Sequence, residues 1–278
     1  ITFNSSDPFK IKKYGVEKLI NIKTDHVFDA KIYADLLCKN FKDLGGTIFI
    51  TGSSADSRFI FPIISILLDA SYATNVVEFP FSISPLVLKR SVFTNKAYVF
   101  TELKTKHKII GILNNSFGIF ESERKLEVKD YISESLDSNV QVESIKEDGE
   151  KISIADAEIV VSGGRGLKGP ENWNLVEDLA KTLGAATACS KPVSDMGWRP
   201  HSEHVGQTGK PVASNLYIAI GVSGAIQHLA GINASKYKVV INNDPEAPFF
   251  KAADYGVVGD AFDVVPKLIE GLKKFKSR

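Results

Sequence analysis

The sequence is poor in cysteine, in net charge and in long apolar runs, and each shortage excludes a class of protein. The two cysteines, Cys38 and Cys189, have neither the spacing of a metal site nor that of a disulfide framework. The net charge of +1 gives no overall attraction to nucleic acid or to an acidic membrane surface. The longest apolar run, residues 59–68, is interrupted by Pro62 and Ser65 and is far shorter than the roughly 20 residues of a membrane span. We therefore expect a globular protein of a reducing compartment that neither binds nucleic acid nor inserts into a membrane.

Short apolar segments alternate with helical ones along the chain, which is typical of an α/β protein with parallel sheet. In the first half, strands are predicted at 18–22, 47–51, 73–79 and 97–102, and helices at 30–44 and 59–70. Residues 109–113 and 127–131 are predicted to add strands that pair antiparallel.

A polar stretch at residues 143–155 separates the two halves of the chain. It contains the turn-forming pair Asp148 and Gly149, so it predicts a domain junction. We predict an N-terminal α/β domain of nucleotide-binding type over residues 1–150 and a second domain over residues 151–278.

The second half repeats the order strand, glycine-rich loop and helix, which is typical of a doubly wound parallel sheet. Strands are predicted at 154–161, 185–189, 216–220, 238–242 and 255–258. Leucines at four-residue spacing from Leu175 to Leu183 predict a helix, and Gly184 marks its end. Ligands of such sheets bind at the carboxyl ends of the strands, so the binding site is predicted there.

Residues 164–169 read G-x-G-x-x-G between a predicted strand and a predicted helix. Glycines in this motif let backbone N–H groups approach a pyrophosphate. The NAD-binding form needs a carboxylate about 20 residues further on, and residues 185–190 contain none. An NAD dehydrogenase is therefore disfavoured. Glycines that only form a tight turn remain an alternative, whereas Arg165 and Lys168 favour an anion.

Two other segments resemble known motifs only in part. His201 and His204 have the spacing H-x-x-H, but the neighbouring Pro200 and Gly206 indicate a loop, so surface or loop histidines are favoured over a metal site. Residues 206–210 resemble the end of a P-loop without its first glycine, although such a segment still offers amides and a hydroxyl to a polar ligand.

Polar residues also follow two later strands. Ser223 and His228 lie where a strand passes into a helix, and each alone is explained by a helix cap or by packing. Asp244 precedes a proline, as turn-forming residues often do. No arrangement of nucleophile, histidine and acid stands out, so nothing specific indicates a hydrolase.

The order and spacing of these segments resemble the FAD domain of electron transfer flavoprotein alpha subunits. The matching segments are residues 161–168, 205–210, 216–231, 241–248 and 253–260. The first half resembles the N-terminal domain of that family loosely, at residues 13–19 and 53–77. Against the family pattern we expect this chain, which starts at Ile1, to lack an opening strand and helix. The implied compartment is the bacterial cytoplasm or, in a eukaryote, the mitochondrial matrix.

The resemblance implies FAD as the cofactor, with no metal and no catalytic residue. The residues it assigns to FAD are Arg165, Ser190, Lys191, Val205, Gly206, Gln207, Thr208, Ser223, Gly224, Ala225, Ile226, Gln227, His228, Asn242, Asp260 and Ala261. It implies that Arg165 contacts the phosphates, that Thr208 lies near flavin N5 and that His228 faces the pyrimidine carbonyl as a donor or positive charge. Residues 223–227 are expected to hold the pyrophosphate, and the last three residues of the set the adenosine.

Lys191 departs from the family pattern, which has arginine at this position. Lysine keeps the positive charge but lacks the planar guanidinium that stacks on a ring. We expect FAD to bind nonetheless, with a change in the stability of its one-electron-reduced state.

The resemblance implies an electron carrier without substrate turnover of its own. Its partner would be the family's beta subunit, which holds AMP. Flavin dehydrogenases, such as the acyl-CoA dehydrogenases of fatty acid β-oxidation, would supply electrons, and electron transfer flavoprotein-quinone oxidoreductase would accept them. The alternatives are an electron-bifurcating subunit, a flavin or NAD(P) oxidoreductase that uses His228 or Asp244 as proton donor, and a nucleotide-binding regulator without redox change.

Overall fold

The computed structural model describes residues 1–133, 140, 142–144 and 152–277. These residues divide into two compact units, one formed by residues 1–90, 100–133, 140 and 142–144 and the other by residues 91–99 and 152–277. The predicted boundary between residues 150 and 151 lies outside the described residues and stays a prediction. None of the helices in the described ranges combines the length and apolar character needed to cross a membrane.

The described part of the first half contains a three-stranded sheet, a six-stranded sheet and two α-helices. Its strands are β1 (Thr2–Phe3), β2 (Lys18–Lys23), β3 (Ile48–Thr51), β4 (Ser71–Val76), β5 (Ser82–Ile83), β6 (Leu86–Val92), β7 (Ala97–Leu103), β8 (Lys108–Ile112) and β9 (Glu127–Ile132). Its helices are α1 (Ala30–Asp43) and α2 (Ala55–Leu67). Helix α2 begins earlier than predicted because the Ser54 side chain accepts a hydrogen bond from the Ser57 amide and caps the helix there.

The direction of two strands differs from the prediction. Strand β8 lies between β3 and β4 and pairs parallel with both, and β9 pairs parallel with β2, so the predicted antiparallel pairing is wrong. The antiparallel pairs join β6 to β4 and to β5 instead. Strand β6 has no counterpart in the prediction. The middle of β8 is buried, as expected for a central parallel strand that is covered on both faces.

The second half forms a five-stranded parallel sheet in the order β11-β10-β12-β13-β14, which confirms the doubly wound fold. Its strands are β10 (Ile159–Gly163), β11 (Ala186–Cys189), β12 (Leu216–Ile220), β13 (Tyr237–Asn242) and β14 (Tyr255–Val258). Its helices are α3 (Asn174–Leu183), α4 (Lys191–Asp195), α5 (Ile226–Ile232) and α6 (Ala261–Lys276). From β10 the chain adds β11 on one side and then β12 on the other, which makes a topological switch point between β10 and β12.

Apolar side chains cover both faces of this second sheet, because successive residues of a strand point to opposite sides. One cluster packs α3 and α6 against Val161 and Ile218, and the other packs α5 against Val160 and Tyr217. Helix α3 ends as predicted at Gly184, which has a left-handed backbone. The central strands β10 and β12 are thereby buried on both sides, whereas the edge strand β14 is exposed, and the carboxyl edge of the sheet is left to hold a ligand.

Candidate functional site

A cavity of about 770 Å³ opens at the carboxyl ends of four neighbouring strands of the second unit. Arg165 follows β10, Ser190 follows β11, Ser223 follows β12, and Asn242 ends β13. The cavity therefore spans the switch point between β10 and β12, where doubly wound sheets bind their ligands.

All but four of the predicted site residues line this cavity. Those that line it are Arg165, Ser190, Lys191, Val205, Gly206, Gln207, Thr208, Ser223, Ala225, Gln227, His228 and Asn242. Their assignment to FAD atoms stays a prediction.

The other four lie at the same edge of the sheet, outside the lining. Ile226 is exposed, and Gly224 packs against the Phe249 backbone with φ at +86°. Asp260 caps α6 by accepting from the Phe262 amide, and Ala261 is buried beneath it.

The lining also includes residues that the sequence did not single out for the cofactor. They are Gly166, Pro192, Asp195, His204, Gly221, Val222, Asp244 and Ala247. His204 is only 2% exposed, so it is a buried loop histidine rather than a surface one. Among the described residues, no three histidine, cysteine or carboxylate side chains are grouped to hold a metal ion.

The glycine motif after β10 serves packing. The amides of Gly164 and Gly166 donate to the carbonyls of Ile220 and Gly221 at 2.9 and 3.0 Å. A Cβ on Gly166 would lie 2.6 Å from the Gly221 Cα, so only glycine allows the two loops to approach this closely.

Three further amides of this motif are occupied as well. Those of Leu167, Lys168 and Gly169 donate to carbonyls of the same loop, and α3 begins only at Asn174. The Arg165 amide has no acceptor among the described residues, so the expectation that amides of this motif approach a pyrophosphate stays a prediction; of the motif only Arg165 and Gly166 line the cavity.

The loop after β12 has the opposite character. The amides of Ser223, Gly224 and Ala225 donate to no acceptor among the described residues, although Gly224 is buried. The Asn242 side-chain amide donates to the Val222 carbonyl at 3.1 Å and ties the end of β13 to this loop. Successive unpaired amides in a turn form a concavity that suits an anion.

The loop at residues 205–210 is fixed between β11 and α5. The Val205 amide donates to the Cys189 carbonyl at 3.0 Å, and the Gln207 amide to the Gln227 carbonyl at 2.7 Å. Gly206 has φ at +156°, and a Cβ there would lie 3.2 Å from the Gln227 carbonyl oxygen. The backbone thus holds the polar side chains of Gln207 and Thr208 at the cavity.

A buried pair of side chains closes the inner end of the site. The Tyr217 hydroxyl lies 3.0 Å from His228 Nε2, and Tyr217 is fully buried. Burial raises the pKa of Tyr217, so the phenol stays protonated. Burial, and secondarily His204, lower the pKa of His228 to about 4, whereas the Val205 backbone opposes that shift. His228 is therefore uncharged near neutral pH, which favours the predicted role of donor.

Charged side chains at the mouth of the cavity are of both signs. Lys191 and Asp195, four residues apart on α4, form an ion pair of 3.3 Å. The Asp244 carboxylate accepts from the Glu246 amide at 3.0 Å, so it stabilises its own turn. Arg165 adds a second exposed cation to the lining.

Comparison with known proteins agrees with this geometry. The family model of the electron transfer flavoprotein domain matches residues 9–134, and that of the electron transfer flavoprotein FAD-binding domain matches residues 153–233. The second match covers every strand-end loop of the cavity up to the one after β12.

Curated relatives extend the similarity over most of the chain. The mitochondrial electron transfer flavoprotein subunit alpha of Arabidopsis thaliana is 37% identical over 235 residues, which are 82% of this chain and 65% of the relative. The subunit alpha of Pseudomonas aeruginosa is 36% identical over 267 residues, 92% of this chain and 83% of the relative. That of Dictyostelium discoideum is 52% identical over 141 residues, 50% of this chain and 40% of the relative. The chain therefore belongs to the family of electron transfer flavoprotein alpha subunits, and its second half contains the FAD-binding domain of that family.

Proposed function

We propose that the cavity of the second unit holds FAD and that the chain works as the electron-carrying alpha subunit of a heterodimeric flavoprotein. The observation that carries this proposal is the convergence of four strand ends on one cavity at the switch point of an FAD-binding domain. Its volume of about 770 Å³ lies within the range of roughly 300–1,000 Å³ that is usual for cofactor sites.

The donors at the cavity suit the two chemically different parts of FAD. The cation of Arg165 and the unpaired amides of residues 223–225 offer partners for a pyrophosphate. Gln207, Thr208 and the uncharged His228 offer neutral hydrogen-bonding groups for a flavin ring. His228 Nδ1 is buried without a hydrogen-bond partner among the described residues, and such atoms normally have one in the complete site.

FAD, when bound, supplies a ring that takes up and gives away electrons. The chain binds and orients it, keeps water from its inner edge with the packed Tyr217 and His228, and supplies hydrogen bonds from groups already in place. Preorganised donors of this kind stabilise developing negative charge without rearrangement.

The described residues favour a carrier over an oxidoreductase with its own substrate. Asp244, one of the two candidate proton donors, is engaged in its turn, and His228, the other, is uncharged and hydrogen-bonded to Tyr217. We propose accordingly that the chain turns over no small-molecule substrate.

The partners follow from family membership and are proposals as well. The relatives are named as alpha subunits, which supports a beta subunit as the partner. We propose that this beta subunit binds AMP. We propose flavin dehydrogenases, including acyl-CoA dehydrogenases, as donors and electron transfer flavoprotein-quinone oxidoreductase as acceptor. Because relatives include mitochondrial and bacterial proteins, the proposed compartment is the mitochondrial matrix or the bacterial cytoplasm.

The first test is the visible absorption spectrum of the chain purified with its beta subunit. The proposal expects flavin bands with about one FAD per heterodimer, bleached when a flavin dehydrogenase and its substrate are added. A colourless heterodimer that takes up no added FAD would overturn FAD binding. A coloured heterodimer that no dehydrogenase reduces would overturn the carrier role alone.

A further inference from the structure

Tyr217 is unusual in its position on β12. The other residues of this strand are aliphatic, and the Tyr217 ring lies in the core with Val160 and Phe249. Its hydroxyl is buried, lies 3.0 Å from His228 Nε2 and is also within hydrogen-bonding reach of the Ser162 side chain, which acts to lower the pKa of Tyr217. A polar group placed at this depth without a partner would destabilise the fold, so the bond to His228 explains how the phenol is tolerated.

The hydrogen bond has a preferred direction. A neutral imidazole carries one N–H donor and one acceptor nitrogen. If Nε2 carried the proton and donated to Tyr217, the phenol would have to donate to Ser162 Oγ, and the buried Ser162 hydroxyl hydrogen would be left without an acceptor among the described residues. If the phenol donates to Nε2, both groups are satisfied, and the imidazole proton resides on Nδ1. Because burial keeps Tyr217 protonated and His228 neutral, this second arrangement is stable across neutral pH.

The Nδ1 atom is then a donor at the wall of the cavity. His228 lines the cavity and is 6% exposed, and its Nδ1 has no hydrogen-bond partner among the described residues. The Val205 backbone is close enough to raise the pKa of His228 but makes no hydrogen bond of normal geometry with Nδ1. A molecule bound in the cavity can supply an acceptor of better geometry than the Val205 backbone.

We propose that Tyr217 is a positioning residue that selects the Nδ1–H tautomer of His228 and so presents a single, fixed donor to the cofactor. The ligand class this donor fits is one with a buried carbonyl or ring-nitrogen acceptor, as the flavin ring has. A phenol that fixes the tautomer of a neighbouring imidazole acts as the usual outer partner of a functional histidine does. The inference deepens the proposed function and rests on it for the identity of the ligand.

The experiment uses the heterodimer with ¹⁵N-labelled histidine, first without and then with FAD. The nitrogen chemical shifts of His228, assigned with a His228→Gln variant, report which nitrogen carries the proton. We expect a protonated Nδ1 and an unprotonated Nε2 in both states. In Tyr217→Phe, which keeps the ring in the core, we expect a mixture of tautomers and FAD binding weaker by about three- to tenfold, the effect of one hydrogen bond.

A matched control separates positioning from packing. Tyr237→Phe removes a phenol from the neighbouring strand β13, at a site more than half exposed, and should change neither the His228 shifts nor the affinity. In a His228→Gln background, Tyr217→Phe should cause no further loss of affinity.

The outcomes distinguish this inference from the proposed function. A wild-type protein with its proton on Nε2, or a Tyr217→Phe variant with unchanged tautomer and affinity, would overturn the inference while leaving FAD binding intact. Should Tyr217→Phe fail to fold, the position of the His228 proton in the wild-type protein still tests the inference. Failure of the wild-type protein to bind FAD would instead overturn the proposed function.

Discussion

Two glycine-rich loops leave neighbouring strands at the same edge of the second sheet, and they use their glycines in different ways. After β10, Gly164 and Gly166 let the backbone pack against Gly221, and the amides of the loop, apart from that of Arg165, donate to carbonyls. After β12, the amides of residues 223–225 have no acceptor among the described residues. The loop after β10, which has the better-known sequence motif, therefore serves mainly to pack the backbone. The loop after β12 has more unpaired amide donors for a ligand.

This difference shows that a glycine motif indicates a backbone that something approaches closely, but does not indicate whether a ligand or another part of the chain does so. Glycine permits contact with a phosphate and with another backbone alike, because it lacks a Cβ in both cases. Which contact is made is decided by where the backbone N–H groups go. The predictions below test this division of roles, beginning with the change of largest expected effect.

Gly166→Ala should destabilise the second unit by about 3 kcal/mol, the usual effect of forcing an extra carbon into a packed contact. The new Cβ would lie 2.6 Å from the Gly221 Cα, and neither backbone can rotate away as a side chain would. Urea unfolding followed by tryptophan fluorescence measures this directly, because both tryptophans, Trp173 and Trp198, lie in the second unit.

Gly271→Ala is the matched control for that substitution. Gly271 lies within α6 with open space where a Cβ would point, so alanine there should leave stability unchanged or raise it by roughly 0.5–1 kcal/mol. Equal stability of the Gly166 variant and the wild-type protein would show that the two loops are not held together by the contact described.

Acidification should destabilise the second unit through His228. An unfolded histidine takes up its proton near pH 6.5, whereas the folded one does so only at about 4. Between these values the unfolded chain binds more protons, so stability falls as pH falls, by about 3 kcal/mol over the whole window. His228→Gln should flatten this part of the curve of unfolding free energy against pH. If the unfolding free energy changes equally with pH in the wild-type protein and in His228→Gln, the result would contradict the burial of His228 as a neutral imidazole.

Arg165→Gln should weaken FAD binding by about ten- to a hundredfold, as expected for the loss of a charged hydrogen bond to a phosphate. Arg165 lines the cavity and is exposed, so the fold should be unaffected. Lys168→Gln removes the same charge from the same loop. Because Lys168 pairs with Asp260 at 3.6 Å outside the cavity lining, its loss should change the affinity little. Equal effects in a fluorescence titration with FAD would mean that Arg165 acts only through overall charge.

Much of the fold was predictable because it depends on local patterns. The strand β12 and the helix α3 follow from apolar runs and from leucine spacing ended by Gly184. The direction of β8 and β9 was not predictable, because it depends on which strands they meet across the sheet. A period-two pattern says that a segment is a strand and is the same for parallel and antiparallel pairing.

The site shows the same limit. The residues of the loops were predicted from the resemblance of their sequence to one family. Tyr217 was not, because its role depends on a hydrogen bond to a residue eleven positions away across the strand-to-helix turn. For His204 the sequence predicts a surface or loop position; it lies in a loop but is buried, next to the backbone hydrogen bond that joins Val205 to Cys189 on β11.

The smallest effect on the flavin is expected from substitutions of Lys191, because its charge is already paired with that of Asp195. Lys191 is largely exposed and pairs with Asp195, so its attraction to a reduced flavin is screened by solvent and by the carboxylate. Lys191→Ala should lower, by less than about twofold, the fraction of one-electron-reduced flavin seen in a reductive titration. Lys191→Arg should raise that fraction, because a guanidinium can stack on the ring while still pairing with Asp195. If alanine, lysine and arginine all give the same fraction, the side chain at this position has no part in setting the flavin potential, and the cations of the cavity serve binding alone.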